Sequence, residues 1–367
     1  MSLHVRAISA ETHARWLRSQ ASVSFLQLPC WADVKVGWRR ESIGWFDGDR
    51  LAGGALVVHR SVPKIRWRTL AYIPEGPVVD WTSPTHDPAD WLQPLLDHCA
   101  TVGAFQVKMG PPVAARRWEA AKLKQALADA DANRPEDTHQ PTSLGAIPAD
   151  WSSPVAPAVV DALRLAGGTQ LASSGAGFAD VQPRFVYCLS LQDRAVDDIF
   201  AGFNQLWRRN VRKADKSGVV VRLGSREDLA DFHRVYVETA ERDHFSPRGQ
   251  VYFERMWDAL NSATDGYHGM TLHIAEHEGH VAAATIMIRV GDRAWYSYGA
   301  STTADRDVRP SNALQWDMIK YAHAAGCSVY DLRGISDTLD RTNHLLGLVR
   351  FKVGSGGYAQ EYIGEWD

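Results

Sequence analysis

The chain has 367 residues, more than one ordinary hydrophobic core contains, so two domains are expected. Its apolar fraction of 45% and charged fraction of 23% are typical of globular proteins and exclude a disordered or fibrous chain. The formal charge of −3 excludes a general nucleic-acid binder, so any RNA contact must be made by a local patch.

The first half predicts a helix, an antiparallel strand pair, a third strand, a second helix and a further strand. The strand pair turns at Asp47-Gly48-Asp49, a short polar turn with glycine. Ala114–Ala128 is predicted to be a basic helix, and the polar stretch Leu127–Trp151 a surface excursion. The other ranges are, in chain order, Ser9–Ser19, Glu41–Phe46, Leu51–Arg60, Arg68–Ile73, Pro88–Val102 and Ala104–Met109.

The second half begins near Val181-Gln182-Pro183 and repeats this order of helices and strands. Apolar residues at helical spacing predict one long amphipathic helix; they are Val196, Ile199, Phe200, Phe203, Leu206, Trp207 and Val211. The other ranges are strands Arg184–Leu191, His268–His277, His280–Val290, Trp295–Ser301 and Ser328–Arg333, and helices Arg226–Arg242 and Asn312–Ala325. Helices around mostly antiparallel strands predict the α+β class for each half.

Basic side chains follow one face of the long helix. Arg208, Arg212 and Lys216 are four residues apart and therefore share a face, opposite the apolar one. An arginine fork binds a phosphate through two parallel hydrogen bonds, so this face predicts an anion site. The alternative is an ordinary solvated helix face.

Glycine-rich turns form the second group of candidates. In Phe351–Gly357 a lysine precedes several glycines, which can bring backbone N–H groups near an anion. Tyr72–Pro77 and Lys108–Pro112 place glycine and proline at predicted strand ends, where ligand clefts often open. A simple tight turn remains the alternative for all three.

The sequence predicts no metal site. His273, His277 and His280 are close in sequence, but strand alternation and the hairpin turn do not converge three imidazoles. The chain also lacks G-x-S-x-G, HExxH and a GxGxxG after a strand. Its four cysteines lie far apart in apolar settings and are expected to be reduced.

The run Phe25–Trp38 resembles the N-terminal signature of the Fem family, the aminoacyl-tRNA-dependent enzymes that build peptidoglycan cross-bridges. The resemblance covers nearly the whole chain except Leu127–Trp151. It continues in order through Tyr72–Pro77, Lys108–Pro112, Val181–Pro183, Trp207–Gly218, Arg242–Phe245, Tyr296–Ser301, Tyr330–Gly334 and Phe351–Gly357. The order and spacing of these motifs together are more specific than any one of them.

This resemblance implies two tandem acetyltransferase-like (GNAT) domains, 1–182 and 183–345, with 346–367 returning to the first. It also implies a cleft for a muropeptide linked to undecaprenyl or to a nucleotide. By position, Lys35 and Arg208 match the cations that hold the precursor's phosphates, and Tyr72 matches a tyrosine that contacts the muropeptide. Phe351 and Lys352 match the pair that handles the aminoacyl-tRNA end.

Three departures from the family pattern concern the site. Gly110 stands where many members carry an acidic residue, so a catalytic carboxylate at that position is in doubt. Ser355 replaces a phenylalanine of the FKxGFGG-like run. The stretch between Arg226 and Asp265 has no room for the helical hairpin that some members insert.

The implied reaction is aminolysis of an ester by a side-chain amine of the stem peptide, with the tRNA 3′-oxygen leaving. The ester is already activated, so no metal or redox cofactor is expected. The expected partners are aminoacyl-tRNA and the muropeptide precursor, with transient contact to the inner membrane face and no DNA. A cytoplasmic protein is expected, because Met1–Arg6 has no signal core and no run approaches the roughly 18 apolar residues of a membrane span. A monomer is expected, because two domains can bury their faces on one another.

Three other functions stay open. An acyl-CoA-dependent GNAT enzyme requires a [QR]xxGx[GA] turn, and the equivalent stretch Arg306–Ala313 lacks both glycines. A tRNA-dependent ligase could act on a small peptide natural product instead of the wall precursor. A non-catalytic binding or immunity protein could retain the fold.

Overall fold

A computed structural model describes residues 3–132, 141–171, 182–263 and 265–367. The chain divides into two compact units. Unit 1 comprises Met1–Val186, Gly334–Val349 and Tyr358–Asp367, and unit 2 comprises Tyr187–Arg333 and Arg350–Gly357. Val181 and residues 133–140 of the predicted surface excursion lie outside the described residues.

This division differs from the predicted domain ranges at the C-terminal end of the chain. Gly334–Val349 lies in unit 1, although most of it falls within the range 183–345. Arg350–Gly357 lies in unit 2, although the range 346–367 assigns it to the first domain. Backbone hydrogen bonds account for both: Leu144 N donates to Asp337 O at 2.7 Å, and Asn204 N donates to Gly354 O at 2.8 Å.

Unit 1 contains a five-stranded sheet, in which strands β1 to β5 lie side by side in the order of the sequence. Its pairs are antiparallel except for β4 and β5, which run parallel. The bounds are β1 His4–Ala7, α1 Ala10–Leu17, β2 Arg39–Asp47, β3 Arg50–Val62, β4 Ile65–Ile73, α2 Pro88–Thr101, β5 Ala104–Met109, β6 Ala114–Glu119, α3 Ala120–Ala132, β7 Trp151–Ser152 and α4 Ala156–Leu165.

The later elements lie mostly in unit 2. Its strands run in the order β13, β12, β11, β10, β9, and only β12 and β13 are parallel in this series. The bounds are β8 Phe185–Ser190, α5 Val196–Gly202, α6 Gln205–Lys216, β9 Val220–Gly224, α7 Leu229–Asp243, α8 Gln250–Leu260, β10 His268–His277, β11 His280–Val290, β12 Arg293–Ser301, α9 Pro310–Ala324, β13 Val329–Gly334, α10 Leu346–Val353 and β14 Tyr358–Tyr362. The predicted α+β class, with mostly antiparallel sheets and flanking helices, is confirmed.

The prediction of one long helix from Val196 to Val211 is wrong, because the helix is broken in two. Phe203 is extended, with ψ 148°, and ends α5. Asn204 then caps α6, since its side-chain oxygen accepts from Trp207 N at 2.8 Å. The backbone N–H of Asn204 donates to Gly354 O. In a continuous helix this N–H would instead donate to a carbonyl of the preceding helical turn. Apolar spacing continues across the break and therefore conceals it.

The predicted helix Ala114–Ala128 is wrong in its first part, which is strand β6. This strand pairs antiparallel with β14. Arg116 Nε donates to Glu361 Oε2 at 2.5 Å, and Arg117 Nε donates to Gln360 Oε1 at 2.8 Å. The basic residues are thus cross-strand partners, a role that depends on a strand some 240 residues later.

Apolar side chains pack within each unit. In unit 1, buried Trp45 and Trp91 join the sheet to α2, and the indole N–H of Trp45 donates to Trp91 O at 2.8 Å. In unit 2, α5, α6 and α9 meet in an aromatic cluster whose neighbouring ring centroids are 5.0 to 5.6 Å apart; its members are Phe200, Phe203, Trp207 and Trp316. Within the described ranges, no helix combines the length and the apolar character that crossing a bilayer requires.

Asn204→Ala is expected to destabilise the protein by about 1 kcal/mol, because the substitution removes the cap of α6. Urea denaturation followed by circular dichroism measures this change. Asn210→Ala, inside the same helix, is the matched control and should be neutral or slightly stabilising, since alanine is the better helix former. Equal stabilities of the two variants would contradict the capping role.

Candidate functional site

The segment Phe351–Gly357 lies against the start of α6. The indole N–H of Trp207 donates to Phe351 O at 2.7 Å, and the two rings are 4.9 Å apart between centroids. A Cβ at Gly354 would lie 2.4 Å from Trp207 Cδ1, closer than any side chain allows. Glycine is therefore required at position 354 so that the backbone can approach the indole.

The same segment turns sharply after α10. Gly357 has φ 88°, and a Cβ there would lie 2.2 Å from Cys188 O. Ser355 is fully buried, and its hydroxyl donates to Lys352 O at 2.7 Å, which satisfies a carbonyl at the end of α10. The serine that departs from the family pattern thus has a structural role at the helix end.

Lys352 is a buried amine on this segment. Its side chain is in the last turn of α10, the residue is 3% exposed, and Nζ donates to Arg333 O at 3.4 Å. Burial lowers the pKa of Lys352 to about 7 from an ordinary 10.5; Asp331 opposes this shift and Arg333 adds to it. Asp331 is itself buried and accepts from Arg293 Nη2 at 2.7 Å. The arrangement gives an amine that exchanges a proton near neutral pH.

The predicted basic face of α6 is present, and its two arginines have different surroundings. Arg208 Nη1 donates to Ala201 O and to Phe203 O, both at 2.6 Å, and so satisfies carbonyls at the end of α5. Nε and Nη2 of Arg208 carry three further N–H donors. Arg212 is exposed, and its guanidinium lies 5.5 Å from the centre of the Phe200 ring. Arg212 is therefore the more accessible candidate for a phosphate.

In unit 1, two of the motifs noted in the sequence come together. Gln27 is fully buried; its amide nitrogen donates to Pro74 O at 2.6 Å and its oxygen accepts from Leu56 N at 2.9 Å. This contact fixes the short helical turns of Phe25–Trp38 against the end of β4. Lys35 follows these turns, with Nζ 6.0 Å from the Trp31 ring centre.

Tyr72, predicted to contact the muropeptide, is buried in a polar cluster of unit 1. Its hydroxyl donates to Glu365 Oε1 at 2.7 Å, and burial, followed by the charge of Glu365, raises the pKa of Tyr72 well above its usual range. Lys108 Nζ lies 3.1 Å from Glu365 Oε2. A Cβ at Gly110 would lie 3.3 Å from Glu365 Cγ, so the space beside Gly110 is filled by this carboxylate.

Sequence reasoning missed three charged residues of these clusters, Glu365, Asp331 and Arg293. Each is far in sequence from the groups that it meets. Asp331 stands in the family-like run Tyr330–Gly334, but that run gave it no role, and Glu365 and Arg293 stand in no recognisable spacing. The implied return of the chain's end to the first domain was a signal for Glu365, and Tyr358–Asp367 lies in unit 1.

The histidines considered for a metal site separate into two places. His273 Nδ1 lies 2.9 Å from Asp317 Oδ2, apart from the others. His277 and His280 both face Asp305, a residue that the sequence analysis did not consider.

Comparison with protein families gives two matches. The FemAB family matches residues 8–265, and an acetyltransferase (GNAT) domain matches residues 203–341. Together they span both units.

Relatives and solved structures extend this likeness to nearly the whole chain. A lipid II:glycine glycyltransferase of Staphylococcus epidermidis is 24% identical over 429 residues, and one of Staphylococcus aureus is 26% identical over 436; each match covers 98% of this chain and 91% of the relative. The crystal structure of FemX superposes with a TM-score of 0.75 at 23% identity, covering 99% of this chain and 96% of that one. A tandem GNAT protein from the clavulanic acid biosynthesis pathway gives 0.52 at 13% identity, covering 99% and 97%.

The depressed pKa of Lys352 predicts a pH-dependent stability. Folded Lys352 loses its proton near pH 7, whereas the unfolded lysine keeps it to about 10.5, so the free energy of unfolding should rise between these values. A single proton limits the rise to about 1.4 kcal/mol per pH unit. Lys352→Met lacks this proton and should have a smaller slope in urea denaturation from about pH 7.5 to 9.5.

The matched control is Lys64→Met, which replaces an exposed lysine. It should keep the slope of the wild type. If wild type and Lys352→Met have the same slope, folded Lys352 keeps its proton over this whole pH range. The assignment of a pKa of about 7 to this buried amine would then be wrong.

Proposed function

The chain is an aminoacyltransferase that belongs to the FemAB family, and we propose that it transfers an amino acid from aminoacyl-tRNA to the side-chain amine of the stem peptide of a peptidoglycan precursor. The resulting bond forms a cross-bridge. Two observations support this proposal. The motifs of the chain resemble those of the Fem family, and the chain as a whole is similar to lipid II:glycine glycyltransferases. The observation that carries the proposal is the buried Lys352 on a glycine-rich segment that packs against the arginine-bearing helix α6.

The chemistry is attack by the deprotonated amine of the precursor on the ester carbonyl, with the tRNA 3′-oxygen as leaving group. The ester is activated before it arrives, so the protein's contribution is to align the two substrates and stabilise the developing oxyanion. Lys352 suits this task, because an amine with a pKa of about 7 can hold or release a proton at neutral pH. Its burial also strengthens its interaction with a nearby charge. Phe351 is proposed to contact the aminoacyl end beside it.

The precursor is proposed to be lipid II or its UDP-linked form, and both carry phosphates. Arg208 and Arg212 are proposed to bind those phosphates, and Lys35 is proposed separately as a phosphate ligand, on its position in the family-like N-terminal run. Arg212 has an exposed fork, and Arg208 has N–H donors beyond the nitrogen that holds the α5 carbonyls. Tyr72 is proposed to contact the muropeptide.

We propose that acyl-CoA is a poorer acyl donor than aminoacyl-tRNA for this chain. In GNAT enzymes the pyrophosphate is cradled by backbone N–H groups before a helix. Here α9 is preceded by Arg309, with φ 62°, and begins with Pro310, which has no N–H to donate. This observation favours the tRNA-dependent reaction.

Wild-type protein, charged tRNA and a muropeptide precursor should together give a lengthened stem peptide, detectable by mass spectrometry. Lys352→Met should lower kcat by about 10² to 10³, the usual effect of removing one group that stabilises the transition state. Lys64→Met is the control and should keep wild-type turnover. The circular dichroism spectrum of Lys352→Met should match that of the wild type.

Two results would count against the proposal. Product with acyl-CoA but none with charged tRNA would favour the GNAT alternative, and product only with a small peptide acceptor would favour the natural-product ligase. Normal turnover by Lys352→Met would remove this lysine from the reaction and leave the family assignment standing.

Arg212→Ala is expected to weaken precursor binding by about 1–3 kcal/mol, the usual range for a charge-assisted hydrogen bond. Calorimetric titration with the UDP-linked precursor measures this loss. Arg208→Ala should weaken binding and also lower stability, because it releases the carbonyls of Ala201 and Phe203. Arg255→Ala, an exposed arginine on α8, is the control. Unchanged affinity in Arg212→Ala would exclude that residue from the phosphate site.

A further inference from the structure

Two histidines at the end of the β10–β11 hairpin face a single carboxylate. His277 and His280 are cross-strand partners on either side of the Glu278-Gly279 turn, so their side chains lie on one face. The carboxylate of Asp305, which follows β12, lies between them: Oδ1 is 2.9 Å from His277 Nδ1, and Oδ2 is 2.9 Å from His280 Nε2. One ligand atom from each residue lies within 4.8 Å of the other two.

The three side chains of the cluster differ in exposure, from the buried Asp305 to the half-exposed His280. Side-chain exposure is 7% for Asp305, 14% for His277 and 51% for His280. The hydroxyl of Thr302 donates to Asp305 Oδ2 at 2.8 Å and fixes the orientation of the carboxylate. Outer hydrogen bonds of this kind orient the ligands of metal sites. The exposed imidazole provides an entry path and space for a water molecule.

We propose that His277, His280 and Asp305 bind one zinc ion in an open site with three protein ligands. Zinc binds imidazole nitrogen at about 2.0–2.1 Å and carboxylate oxygen at about 2.0–2.2 Å in tetrahedral sites, so neighbouring ligand atoms lie roughly 3.3 Å apart. The nitrogen–oxygen pairs here are already at 2.9 Å. These two contacts use different oxygens of Asp305, and one ligand atom from each residue lies within 4.8 Å of the other two, so the proposal requires the side chains, above all exposed His280, to rotate until the three atoms reach that spacing.

The ligand set selects the class of metal. Magnesium and calcium prefer oxygen ligands throughout, whereas two imidazoles and one carboxylate suit zinc and its neighbours in the first transition row. A bound ion would join the hairpin end to the segment after β12, both within unit 2. This inference is independent of the proposed transfer reaction.

The test uses the full chain without a histidine tag, treated with EDTA and exchanged into chelator-free buffer. Calorimetric titration with zinc chloride is expected to give one equivalent bound per chain, and thermal unfolding should shift upward with zinc. His280→Ala should weaken zinc binding at least about tenfold and abolish the shift in thermal unfolding. Loss of a residue that only orients a ligand typically lowers metal affinity about 10- to 100-fold, and loss of the ligand itself should lower it no less. Half of the His280 side chain is exposed, so we expect this variant to fold like the wild type, and its circular dichroism spectrum checks the fold.

The matched control is His344→Ala, an exposed histidine outside the cluster. It should bind zinc like the wild type. Cobalt(II) provides a second readout, because a tetrahedral site gives intense visible absorption that His280→Ala should lose. Equal zinc affinity in wild type and His280→Ala, or no stoichiometric binding by the wild type, would overturn the proposal. No tRNA or precursor enters these measurements, so they are independent of the transfer assay.

Discussion

The attachment of Phe351–Gly357 to helix α6 is the constraint on which the candidate chemistry of unit 2 depends. Two backbone carbonyls, those of Phe351 and Gly354, are used by donors at the start of that helix. This anchoring requires a break in the preceding helix, a cap at Asn204 and a glycine beneath the indole of Trp207. It also fixes the end of α10 and so determines where Lys352 is buried.

Burial of Lys352 is the physical source of its proposed role. An ammonium group loses hydration when it is buried, and the pKa falls unless neighbouring carboxylates compensate. Asp331 compensates only in part, since its own charge is shared with Arg293. The same desolvation that costs folding free energy yields an amine poised near neutral pH, which is a common feature of functional sites.

The arginines of α6 combine structural and binding roles. Arg208 holds the carbonyls that the break between α5 and α6 exposes, so its position is set by the fold as well as by a ligand. Arg212 lies over Phe200 and keeps its donors at the surface. A single row of basic residues read from the sequence therefore contains side chains with different tasks, and only their contacts distinguish them.

The sequence by itself determined most of the local elements, the α+β class and the family. Hairpins such as β10–β11 depend on residues close together in the sequence, so their alternating apolar pattern and their turn residues can be recognised from the sequence alone. It did not determine the break before α6, the strand β6, or the partners of Tyr72, Lys352 and His280. Those depend on Gly354, Glu361, Glu365, Asp331 and Asp305, which tertiary folding brings from distant positions. Local propensity and periodicity carry no information about such encounters, because burial and charge pairing exist only once the chain has packed.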